Sequence, residues 1–148
     1  MIIPKNEKRK FISFKLKNDI PVIYVQDDTL ENPAFYFGVS VGYFSDPKET
    51  PGLAHFLEHL IFMGSKKYPQ ENYFNERLAQ FNGMTNAYTD TDKTVYYFSC
   101  TSSGFEEILE IFYHLITEPL LSESSQEREV KAVDSEHHKN ILDDNCGP

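Results

Sequence analysis

Cysteine is almost missing from this chain, with Cys100 and Cys146 the two present in 148 residues. Two thiols cannot build the multi-bridge framework of a small secreted scaffold, and their scarcity points to a reducing, cytoplasmic setting. Positive charge is also scarce: 14 Lys and Arg stand against 23 Asp and Glu, for a formal net charge of −9. A surface of that sign repels phosphate, which argues against nucleic acid or an anionic membrane as a partner. Long apolar runs are lacking as well. The opening segment Met1 to Lys10 is too polar for a signal peptide or a membrane span. No internal repeat, low-complexity tract or linker divides the chain. What is abundant is aromatic: 12 Phe and 9 Tyr within a 40% hydrophobic composition mark a folded, globular chain. At this length a single domain buries roughly 68–70% of its unfolded surface, enough for a core.

The patterns along the chain predict an α+β fold. Ile12, Phe14 and Leu16 alternate with polar residues, Asn18-Asp19 offers a turn, and Ile20 to Val25 resumes as a strand, the outline of a hairpin. Ala34 to Phe44 alternates again, with Phe35, Phe37, Val39, Val41 and Tyr43 on one face and mostly small residues on the other. A helix is expected from near Gln70 to Asn82-Gly83, with Phe74, Leu78 and Phe81 as its inner stripe. Met84 to Thr89 and Thr94 to Cys100 read as strands joined by a turn at Asp90 to Lys93. Phe105 to Ile116 reads as an amphipathic helix ended by Pro119, and a last helix spans about Ser124 to Leu142. This order suggests helices packed on one face of a mainly antiparallel sheet.

The chemistry concentrates between Thr50 and Gly64. Thr50 is suited to cap a helix, Pro51 to its first position, and Gly64 to a left-handed close. Leu53 to Met63 is apolar except for His55, Glu58 and His59, which share one narrow arc of the helix surface. A helix this apolar is expected to be buried, and polar groups on it need partners. Two imidazoles at i and i+4 can close on one metal ion, zinc being the usual guest. The carboxylate between them is placed to take a proton from a water.

A catalytic zinc needs a third protein ligand. The last helix offers Glu129, Glu136 and Asn140 on one face, spaced seven and four apart. Glu136 suits ligation, and Glu129 suits acceptance of a ligand histidine's second N–H. His137 and His138 are rival ligands, but adjacent positions cannot both face one site, so they read as surface or packing residues. Cys100 has no partner histidine fixed by spacing.

His-x-x-Glu-His is the inverted zincin motif. Its setting here resembles the insulinase (insulysin/pitrilysin) family of zinc metalloendopeptidases, the insulysin branch above all. Matching segments follow in order: Ser45-Asp46-Pro47, Gly52 to His59, Met63 to Pro69, Asn86-Ala87-Tyr88-Thr89, Tyr96-Tyr97-Phe98, and Glu127 to Glu136. The resemblance implies a domain like that of the insulinases and mitochondrial processing peptidases. It also implies zinc held by His55, His59 and Glu136, with Glu58 as general base and Glu129 beyond the ligands. The strand Asn86, Ala87, Tyr88, Thr89 would then receive a peptide substrate.

Two departures stand out. Leu57 occupies a position where some relatives carry cysteine, so thiol sensitivity there is not expected. Family members also continue far past Asn140, usually through a Trp-Arg pair. The chain therefore reads as an N-terminal zinc-binding domain whose partners are peptides and the remainder of its own full-length chain or a homologous half. Two other readings are a non-catalytic peptide-binding half and a structural zinc domain.

Overall fold

In the computed structural model the backbone is described for residues 6–142 and side chains through Lys139. The chain divides into two units, residues 1–32 and 33–148. In the first, β1 (Lys10–Lys15) and β2 (Pro21–Gln26) pair antiparallel, with Ile12 opposite Tyr24 and Phe14 opposite Val22. The turn closes through Leu16 N–H to the Ile20 carbonyl at 2.9 Å, with Asp19 at φ +66°. Aspartate tolerates that left-handed conformation better than most residues. Both faces of this ribbon are accessible, so its alternation is not matched to a one-sided core.

The second unit holds a three-stranded antiparallel sheet in the order β3 (Ala34–Val39), β5 (Thr94–Ser99), β4 (Met84–Thr89). Helices α1 (Leu53–Ile61), α2 (Tyr73–Gln80), α3 (Phe105–Thr117) and α4 (Glu123–Leu142) complete it. β5 is the central strand, and its alternate residues Thr94, Tyr96 and Phe98 are buried. Phe98 is the centre of an aromatic cluster, with ring centroids 5.4 Å from Phe112, 5.6 Å from Phe105, 5.7 Å from Phe35 and 6.2 Å from Phe74. Leu78, Ile108, Ile111 and Leu115 fill in from α2 and α3. Each fully buried Phe or Leu of this kind stabilises by about 1.5–3 kcal/mol. The opposite sheet face stays open, with Tyr36 67% exposed and stacked on Tyr97 at 5.2 Å. The helices thus cover one face of an antiparallel sheet, as the α+β pattern predicts. Among the described residues no helix is long and apolar enough to cross a membrane.

Three expectations need correction. β3 stops at Val39, and Tyr43–Ser45 forms a short 3-10 turn instead of continuing the strand. The cause is Gly42, where an added Cβ would lie 2.2 Å from the Asp90 carbonyl. Only glycine lets the chain come this close, and Tyr43 N–H then bonds Asp90 O at 3.0 Å. Second, neither Thr50 nor Pro51 starts α1. Gly52, at φ +90°, precedes Leu53, and the orphan N–H groups of Gly52 and Ala54 donate to the Asp46 carboxylate at 2.6 and 2.9 Å. Third, α1 is buried on one side only. Ala54, Glu58, Leu60 and Ile61 are inside, whereas Leu53 and Leu57 are exposed. Gly64 does adopt the left-handed conformation, at φ +98°.

Candidate metal centre and catalytic site

α1 packs against β4 on one side and α4 on the other. That placement makes its polar arc a meeting point. His55 and His59, one turn apart, bring their Nε2 atoms to 3.2 Å with the rings nearly perpendicular, at 77°. From α4, Oε2 of Glu136 lies 3.5 Å from Nε2 of His59 and 3.8 Å from Nε2 of His55. Two nitrogens and one oxygen therefore converge on one point. Four-coordinate zinc with bonds of about 2.0–2.2 Å separates neighbouring donors by about 3.3–3.6 Å, so the triangle is close to that ion's and its donor types fit it. Among the described residues no fourth His, Cys, Asp or Glu joins the group.

Glu129, two helical turns before Glu136, puts Oε2 3.1 Å from Nδ1 of His59. A carboxylate there accepts the Nδ1 proton and leaves the Nε2 lone pair facing Glu136 and His55. The inner stripe expected on α4 is less buried than its pattern implies. Glu129 is tucked in, but the Glu136 side chain is 45% exposed, because the helix lies along the surface. Asn140, placed beyond the ligands in the sequence reading, has its side chain outside the described residues. His137 and His138 are exposed and are not among the converging donors, although His137 borders the same cleft; Nδ1 of His138 is 2.8 Å from the Asp134 carbonyl on its own helix.

Glu58 is 8% exposed and faces β4. Its Oε2 accepts a 2.5 Å hydrogen bond from the Thr89 hydroxyl. Tyr96 is buried near this carboxylate; burial, with the Glu58 charge adding to it, pushes its phenol up to about 12. Tyr43 lies edge-on to His55, ring centroids 6.4 Å apart. Burial first, then the charges of Glu58 and Glu136, pushes the Tyr43 phenol above its ordinary range as well. Sequence reasoning missed Tyr43 because its alternation placed it on a strand.

These groups line an open cleft of about 1320 Å³, bordered by Thr85 to Thr89 of β4. β4 is a sheet edge, and its register shows which backbone groups face outward. Asp90 N–H bonds Lys93 O at 2.8 Å, so by alternation Tyr88 and Asn86 bond β5 while Thr89, Ala87 and Thr85 turn their backbone groups to the free edge. The Asn86 side chain takes the Ala87 N–H at 2.9 Å. The side chains divide the other way: Thr85, Ala87 and Thr89 are half-buried, Asn86 and Tyr88 exposed. Cys100 is buried, and burial pushes its thiol up, which makes it an inert core residue.

A His-His-Glu group that could hold a metal ion thus lies beside a buried glutamate and an open strand edge on an α+β scaffold. The profile described as insulinase, peptidase family M16, matches residues 22–146. The chain belongs to that insulinase family. An Arabidopsis thaliana relative, insulin-degrading enzyme-like 2, is 41% identical over 141 residues, 95% of this chain and 15% of that protein. A Schizosaccharomyces pombe protein whose name classes it with the zinc proteases is 41% identical over 143 residues, 97% of this chain and 15% of its own length. Pitrilysin's crystal structure superposes with a TM-score of 0.84 at 34% identity, over 89% of this chain and 14% of that one. The chain thus spans about 15% of the length of the curated relatives it matches.

Proposed function

We propose that this chain carries the catalytic zinc centre of a metalloendopeptidase acting on peptides. The observation that carries the reading is the convergence of His55, His59 and Glu136 within 3.8 Å of one another, beside the buried Glu58. His55, His59 and Glu136 would hold the ion. Zinc bound there would polarise the scissile carbonyl and acidify a water. Glu58 takes the proton of the attacking water and returns it to the leaving amine. Glu129 fixes the tautomer and ring orientation of His59. The free edge of β4 receives the peptide as an added strand, with backbone groups giving affinity and little sequence preference.

The absence of a fourth donor from the described group favours this reading over a structural zinc site, which closes its coordination with protein. Catalysis also needs donors for the developing oxyanion and a site shielded from water. We assign those to the remainder of a chain of the relatives' length, or to a homologous half, so the 148 residues alone should be a poor peptidase that mixing with that portion rescues.

The test measures zinc content and cleavage of an internally quenched peptide in the full-length protein. One zinc per chain, lost in His59→Ala and kept in Glu58→Gln while hydrolysis disappears, is the expected pattern. Unchanged zinc in His59→Ala overturns the ligand set; near-normal turnover in Glu58→Gln overturns the base and favours another role for this domain.

A further inference from the structure

We propose that the Thr89 side chain is the positioning residue that aims Glu58, with Thr94 leaving the Thr89 proton free for it. The inference rests on Glu58 being the base, and it differs from any role of Thr89's backbone in receiving peptide. Thr89 ends β4 opposite Thr94 on β5. A threonine hydroxyl carries one proton. Thr94, 4% exposed, spends its proton on the Val41 carbonyl at 2.8 Å. Its oxygen can therefore only accept from Thr89, 3.4 Å away. Thr89 has two acceptors on offer, and Glu58 Oε2 at 2.5 Å is both nearer and charged. A charge-assisted bond of that length is the stronger one, so the proton goes to Glu58.

The geometry is suited to aiming. Threonine is β-branched and stiff at χ1, and the central strand fixes the backbone of its neighbour Thr94. Val41 in turn lies in the segment that Gly42 presses against the Asp90 to Lys93 turn. Glu58 has three rotatable bonds and no rigid anchor of its own on α1. With Oε2 held, Oε1 is the oxygen left to meet the water, and a catalytic group misaimed by an ångström loses much of its effect.

The experiment uses the full-length, zinc-loaded protein with Thr89→Val, which keeps the shape and removes the hydroxyl, and Thr89→Ser, which keeps the hydroxyl. Thr89→Val should lower kcat about 10–100-fold, part of what a positioned base supplies, with KM and zinc content within about twofold of the parent as a kcat-selective loss requires. Thr89→Ser should recover most of that loss. Equal impairment of both variants, an unchanged kcat in Thr89→Val, or a rise in KM alone would overturn the proposal. A readout free of activity is the thermal midpoint of the metal-free protein in a cycle of Thr89→Val, Glu58→Ala and the double variant. The double variant should lose less than the sum of the single losses; additive losses would show that the contact is not made. Glu58→Gln runs in parallel: if it turns over normally, the base assignment itself has failed, whereas an inactive Glu58→Gln with a fully active Thr89→Val sinks the Thr89 inference alone.

Discussion

Nδ1 of His59 and Oε2 of Glu129 meet at 3.1 Å across 70 positions of sequence, joining α1 to α4 on the side of the histidine away from Glu136. A ligand histidine oriented in this way is more basic and loses less freedom on binding a metal. Glu129→Ala should weaken zinc affinity by about 10–100-fold, the usual effect of losing such a partner. Competition with a chromophoric chelator at fixed pH measures it. Unchanged affinity would reduce Glu129 to a packing residue.

The start of α1 rests on Asp46, whose carboxylate accepts two N–H groups of the first turn. Asp46→Ala should cost about 1 kcal/mol, as the loss of a helix cap does. Thr50→Ala should cost much less, because no side-chain cap comes from that position. Thermal melts of the two variants side by side decide it; an equal loss in Thr50→Ala would restore the simpler capping scheme.

Local periodicity made His55, Glu58 and His59 legible, because residues at i, i+3 and i+4 on one helix share a face whatever surrounds them. The pairing of Glu129 with Glu136 could be seen only as a repeat of two turns. α4 lies so near the surface that its pattern says little about depth, and Glu136 is consequently less enclosed than the stripe suggested. Asp46 was out of reach for a different reason. It caps a helix that begins seven residues later, across a Pro47-to-Thr50 turn, and capping rules look at the adjacent residue. Tyr43 was misplaced because the alternation of Ala34 to Phe44 is a local signal, while the break at Gly42 is set by a turn some fifty residues on. The sheet order, with β4 at the edge, depends on pairing that no single segment encodes.

Tyr96 supplies a pH dependence at the alkaline end. Its folded value is raised to about 12, above the ordinary phenol value of 10. The folded state therefore holds the proton where the unfolded chain has released it. The stability linked to this group is complete below about pH 10 and is lost as pH rises from about 10 towards 12. Tyr96→Phe should flatten the fall in melting temperature over that window and remove the latest component of the 295 nm phenolate titration. A parent protein whose tyrosines all titrate together near 10 would contradict it.

The free edge of β4 leads to the last prediction. Ala87 turns its N–H outward, where the Asn86 side chain satisfies it at 2.9 Å. An incoming peptide strand would displace that side chain and take the same donor, so the bond is exchanged rather than newly made and its net gain is modest. Ala87→Pro removes the donor on the outer edge without touching the ladder to β5, since Ala87 is not one of the residues bonding that strand. The fold should therefore survive while the Michaelis constant for a peptide rises several-fold, with zinc content unchanged. Asn86→Ala should act in the opposite direction or not at all, because it removes a competitor for the same N–H. Melting curves and zinc analysis come first, to establish that Ala87→Pro is folded and loaded. A Michaelis constant equal to the parent's in that protein would rule out Ala87 N–H as a substrate contact, and a rise in Asn86→Ala as large as in Ala87→Pro would assign the binding to the Asn86 side chain instead.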